Sequence, residues 1–98
     1  MDMKKLDAKD IASELKRLPE WNEIDGKIVR TYEFADFPKA IGFVNGISIY
    51  SESKNHHPII EVNYNMVRLS LFTWCEKALT KKDFDAASYF DFLYGDSE

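Results

Sequence analysis

The only two imidazoles of the chain, His56 and His57, stand side by side and directly precede Pro58. Histidine is the side chain whose ordinary titration lies near neutral pH, so an adjacent pair is the leading candidate for moving protons in both directions. Glu52 lies four residues before His56, one helical turn away, where its carboxylate can accept a ring proton, fix a tautomer or favour the imidazolium. Neighbouring residues of a regular strand face opposite ways, so both rings reach one ligand only where the backbone is irregular. Pro58 biases His57 toward extended geometry and makes such a junction. A plainer reading stands beside this one: Glu52 is a solvated helix residue, and the histidines are C-terminal neighbours favoured by the helix dipole. A metal site built from the three is disfavoured, because adjacent histidines seldom converge on one ion and no fourth ligand is apparent.

The elements that must position these groups follow from periodicity. In LDAKDIASELKRLPEW, Leu6, Ile11, Leu15 and Leu18 fall near helical spacing, Asp7 caps the start and Pro19 ends the helix. Asp25-Gly26 supplies the positive φ angles of a tight turn before the alternating run Ile28 to Phe34, which predicts a first hairpin. A second helix begins with Asp36 as cap and Pro38 in its first turn, and Phe37, Ala40, Ile41, Val44 and Ile47 mark its apolar face. Gly42 and Gly46, four apart, would let another backbone pass close. After the histidines, IIEVNYNMVRLSLFTW reads as a second hairpin turning at Tyr64-Asn65, with asparagine tolerating the left-handed region. Thr80 and Asp83 have capping-box spacing at the head of a last helix, which carries Phe84, Ala87, Phe90 and Tyr94 along one side and stops near Gly95. The order predicts an α+β fold: one four-stranded antiparallel sheet with three helices on one face, α-β-β-α-β-β-α, whose exposed edges invite pairing with a second copy.

At 98 residues the chain is expected to form a single domain over 1–98. Hydrophobic residues at 45% and aromatics at 14% provide for a packed core, so disorder is excluded. A formal charge of −4 with scattered lysines gives no field that would gather phosphate backbones, which argues against direct nucleic-acid binding. Cys75 is the one cysteine, so neither an internal disulfide nor a CxxC motif is available, and an inert thiol is its default. The charged opening MDMKKLDAKD lacks a signal-peptide core and no run approaches a membrane span, so a cytoplasmic protein is expected.

Glu52, His56-His57-Pro58, Tyr64, Trp74 and Asp83, with all the gaps between them, resemble the signature of the pterin-4a-carbinolamine dehydratases. The likeness covers nearly the whole chain, including LPEW, the Phe-x-x-Ala start of the second helix and LTKKD. It implies a small α+β domain that assembles into a homodimer or homotetramer. It also implies dehydration of 4a-hydroxytetrahydropterin to the quinonoid dihydropterin in tetrahydrobiopterin recycling, with an aromatic amino-acid hydroxylase as pathway partner. That reaction needs no cofactor: N5 pushes electrons in as its proton goes to a base, and the C4a hydroxyl leaves as water once protonated. By resemblance His56 and His57 share the acid and base duties, Glu52 orients one of them, and Pro58 and Trp74 lie against the substrate. The best-known members have a third histidine where this chain has Trp74, and an aspartate at Cys75, although tryptophan also occurs at the first of these positions in relatives. An indole can stack on a pterin but cannot relay a proton. A strand residue packed at a subunit contact is the alternative for Trp74. Tyr64 is read as a turn residue and Asp83 as a helix cap, outside the site. Some relatives act as dimerisation partners, so a non-catalytic assembly protein on the same scaffold is the alternative to the enzyme.

Overall fold

The computed structural model describes residues 4–97. Its elements are α1 (Ala8–Lys16), β1 (Asn22–Ile24), β2 (Lys27–Glu33), α2 (Phe37–Lys54), β3 (Ile59–Asn63), β4 (Met66–Leu71) and α3 (Lys81–Ser97). The strands form one sheet in the order β1-β2-β4-β3 with every neighbouring pair antiparallel, the α+β arrangement that the pattern predicts. No helix among the described residues is long and apolar enough to cross a membrane.

Local chemistry accounts for most boundaries. Asp10 N donates to Asp7 Oδ1 at 2.8 Å while Asp7 N donates back to Asp10 Oδ2 at 3.3 Å, a reciprocal cap on α1. Lys39 N donates to Asp36 Oδ1 at 2.9 Å, and Pro38 stands in the first turn of α2. Asp25 and Gly26 both have positive φ, 52° and 79°, which matches the twist of the β1-β2 hairpin. The β3-β4 turn differs from expectation. Tyr64, not Asn65, takes the left-handed conformation, at φ 55°. Asn65 is committed elsewhere: its Nδ2 donates to Phe34 O at 2.8 Å and its carbonyl accepts from Phe34 N at 2.8 Å, tying the turn to the end of β2. α3 continues past Gly95 to Ser97, because one glycine costs a helix only about 1 kcal/mol relative to alanine.

One face of the sheet is largely apolar. Ile28 and Tyr32 of β2 stand opposite Leu71 and Val67 of β4, with Leu69 between them opposite Arg30, and the five apolar side chains are buried under α2 and α3. Ile11 and Leu15 of α1 close the margin of the same core. The other face carries Thr31, Arg68 and Glu61 in one row across three strands. The buried stripe of α2 is Ala40, Phe43, Ile47 and Ser51; Phe37, expected there, is 48% exposed. The helix is apolar over much of its circumference, and Phe43 wins the inner place by packing on Tyr32 and Phe34 with ring centroids 4.8 and 5.0 Å apart. The two glycines of α2 also differ from expectation. A Cβ on Gly46 would stand 3.3 Å from the Leu93 side chain of α3, so a side chain and not a backbone is what approaches, and Gly42 faces open space.

A second polar cluster lies under α3. Asp91 Oδ1 accepts from Arg30 Nη1 at 2.8 Å, Tyr32 OH at 2.6 Å and Trp21 Nε1 at 3.0 Å. Burial, and after it the bond to Asp91, pushes the Tyr32 phenol far above the ordinary tyrosine range. A raised acid keeps its proton in the folded state after the unfolded chain has released it. Stability should therefore fall as pH climbs beyond the ordinary tyrosine value of about 10. Urea midpoints measured across that alkaline range should decline steeply in the wild type and less steeply in Tyr32→Phe. Identical slopes would show that Tyr32 is not the responsible group.

Candidate active site

The site begins where α2 ends. Asn55 takes a left-handed conformation at φ 51°, its N–H donates to Glu52 O at 3.3 Å, and His56 N donates to Ser51 O at 3.0 Å. This Schellman closure satisfies the last carbonyls of α2 and reverses the chain within one residue. His56 is thereby turned inward and is 8% exposed. Its Nε2 donates to Asp83 Oδ1 at 2.7 Å. Asp83, fully buried, accepts through Oδ2 from Thr73 Oγ1 at 2.7 Å and from Thr80 N at 3.0 Å. Thr80 Oγ1 lies 2.7 Å from Thr73 Oγ1 and accepts from Lys82 N at 3.3 Å. The proton of the His56–Asp83 bond thus belongs to Nε2, and Nδ1 is the ring nitrogen with a lone pair to offer.

His57 is outside this buried network. Its Nε2 donates to Glu52 Oε1 at 2.8 Å, with both side chains largely exposed. The carboxylate one turn before His56 therefore meets His57 instead. The left-handed step at Asn55 breaks the helical phase on which i,i+4 spacing depends. Asp83, read from sequence as a cap alone, both caps α3 and holds His56. Its double duty had a signal in the Thr80–Asp83 spacing, but nothing local tells that α2 ends beside it.

Both imidazoles border one open cleft of about 380 Å³, together with Asn55, Thr73, Trp74, Cys75 and Lys82. No carboxylate lines it. Trp74, expected on the fourth strand, lies beyond it: β4 stops at Leu71, and the Thr73↔Ala78 bridge with Lys77 at φ 53° makes a separate turn. There the indole is 59% exposed, edge-on to Phe72 at 4.8 Å, with Lys27 Nζ 5.6 Å from each ring. Pro58 has a trans peptide bond and is half-buried before β3, but is not among the residues lining the cleft. Tyr64 is at the far end of β3, 67% exposed. Cys75 is exposed at the rim. Sequence reasoning missed Asn55, Thr73 and Lys82. Asparagine after a long helix hints at the closure; the other two carry no local signal. Among the described residues no three His, Cys, Asp or Glu side chains converge as metal ligands.

Fold and cleft together define a small α+β domain that presents two carboxylate-paired histidines to a shared cavity. Residues 4–93 match the pattern of the pterin 4 alpha carbinolamine dehydratases, and the chain belongs to that family. A protein of Picosynechococcus named provisionally as a pterin-4-alpha-carbinolamine dehydratase is 44% identical over 84 residues, covering 86% of this chain and 91% of its own. A similarly named protein of Chloroflexus aurantiacus is 41% identical over 93 residues, covering 95% of this chain and all of its own. Among solved structures, a transcriptional coactivator/pterin dehydratase from Brucella melitensis superposes with a TM-score of 0.90 at 29% identity over 93% of this chain and 99% of that one. A pterin dehydratase-like protein described as a RuBisCO assembly factor of the alpha-carboxysome superposes at 0.67 over 78% of this chain and 90% of that one. At 19% identity it shares the fold.

The Asp83 contacts predict a measurable cost. Asp83→Ala would remove at once the acceptor of the His56 ring, of the Thr73 hydroxyl and of the Thr80 amide, for a loss of about 2–4 kcal/mol. Urea denaturation of wild type and variant reads this directly. A loss under about 0.5 kcal/mol, the scale of an ordinary surface substitution, would mean that the carboxylate has no structural role.

Proposed function

We propose that the cleft dehydrates a 4a-hydroxytetrahydropterin to the quinonoid dihydropterin by histidine acid/base catalysis. The observation that carries this reading is the pair of imidazoles on one cavity, each with a carboxylate on its Nε2 and so with Nδ1 left for the reaction. His56 is the base. Asp83 fixes its tautomer and orientation, and stabilises the imidazolium formed when Nδ1 takes the N5 proton. The electron pair of the broken N5–H bond forms the C4a=N5 double bond. His57 is the acid: its protonated ring gives a hydrogen to the C4a hydroxyl, which departs as water. Its exposure, and its partnership with Glu52, lets it recover a proton from solvent while His56 releases one, so the pair returns to its starting state. Trp74 offers an indole face for the flat ring at the mouth of the cleft, and Lys82 adds an ammonium donor beside the histidines. Tetrahydrobiopterin recycling downstream of an aromatic amino-acid hydroxylase is the corresponding role, in a homodimer or homotetramer whose contacts use the exposed β3 edge, where Ile59 and Val62 are open to solvent.

A non-catalytic assembly partner on this scaffold is the competing reading, favoured by the fold shared with the carboxysome factor. Freshly generated 4a-hydroxytetrahydropterin separates the two by its absorbance decay. The wild type should accelerate the decay, and His56→Ala should lower kcat by about 10²–10⁴-fold, the usual worth of a positioned acid or base. Glu52→Gln, on an exposed pair, should cost less than tenfold, on the order of 1 kcal/mol. A decay unchanged by the wild-type protein would decide for the assembly role.

A further inference from the structure

A second cavity adjoins His56. His56 and Lys82 also border a smaller cavity of about 120 Å³, whose other walls are Tyr50, Lys54 and Asp85, so the two spaces share that pair of residues. The smaller chamber has room for a group the bulk of one carboxylate or phosphate. Its charges are unevenly matched. Asp85 accepts from Lys81 Nζ at 2.9 Å, whereas neither Lys54 nor Lys82 enters an ion pair among the described residues. Lys54 Nζ stands 5.9 Å from the Tyr50 ring centroid, at the outer limit of a cation–π contact. Lys82 lies in the first turn of α3, where the helix dipole adds to its positive field. An excess of positive charge at this point contrasts with the formal charge of −4 on the whole chain.

We propose that this chamber receives an anionic substituent, a carboxylate or a phosphate, carried on C6 of the pterin, and that Lys54 and Lys82 select for it. The inference rests on the dehydratase reading above. C6 is bonded to N5, and N5 faces His56 in that reading, so a C6 substituent leaves the ring beside a residue that also lines the second chamber. Two ammonium groups with no protein counter-ion gain more from an anion than from a hydroxyl, because a charged partner makes the stronger hydrogen bond. Asp85 does not cancel this, being already matched by Lys81.

Equilibrium dialysis with three stable pterins of matched length tests it: one with a 6-hydroxyalkyl group, its phosphate ester, and a 6-carboxyalkyl analogue. At low salt one or both anionic pterins should bind the wild type about tenfold more tightly than the neutral one, as expected for a charged hydrogen bond. The better of the two identifies the anion. The advantage should shrink as salt is added, fall in Lys54→Gln and Lys82→Gln, and persist in Lys54→Arg. Equal affinity for all three pterins, or a preference unchanged in both glutamine variants, overturns the assignment. If the neutral 4a-hydroxytetrahydropterin is still dehydrated in that case, the dehydratase reading stands without it. Failure of all three to bind likewise overturns the assignment, and the absorbance decay of 4a-hydroxytetrahydropterin then decides the dehydratase reading on its own.

Discussion

The Asp83 carboxylate is the interaction on which the arrangement of the site depends. It is fully buried, and it accepts from His56 at the end of α2, from Thr73 in the turn after β4 and from the Thr80 amide at the start of α3. A carboxylate removed from water is tolerable only when its lone pairs are met by donors. The Thr80 amide is local, but Thr73 comes from the turn after β4 and His56 from the end of α2, so the group is fully satisfied only when all three are in place. The same bonds that make Asp83 affordable therefore fix the relative positions of the two histidines and the Trp74 turn.

This arrangement divides the labour of two residues that look alike in sequence. His56 is nearly buried with a buried acceptor, and His57 is open to solvent with an exposed one. The first can be held in a single orientation, since packing and a charged hydrogen bond leave its ring little freedom. The second stands in reach of solvent, with more than half of its side chain exposed. A reaction that removes a proton at one atom and adds one at another benefits from that asymmetry. The Schellman closure at Asn55 produces it by turning adjacent residues to opposite environments while keeping both on the rim of one cavity.

Elsewhere the fold uses a comparable device. Asp91 gathers the Arg30 guanidinium, the Tyr32 phenol and the Trp21 indole, tying β2 and the segment before β1 to the middle of α3. α3 is thus tied to the end of α2 and the turn after β4 by Asp83 in its first turn, and to the sheet by Asp91 near its centre, with Phe84, Ala87 and Phe90 buried between them. The helix that carries Asp83 and Lys82 is held by contacts along much of its length, which is what a rigid site requires.

Helix and strand periods, the caps at Asp7 and Asp36 and the Asp25-Gly26 turn determined the element order, because each is a local interaction between residues a few positions apart. The histidine pair and the spacing from Glu52 through Trp74 to Asp83 likewise marked out the family. What only the tertiary structure decided was the pairing: Asp83 and not Glu52 holds His56, Glu52 turns to His57, Phe43 displaces Phe37 from the core, and Lys82 enters the cleft. Each of these follows from a left-handed step at one asparagine or from packing between elements. Contacts of that kind join residues as far apart as His56 and Asp83, whose proximity is set by the sheet and helices between them and not by any local pattern.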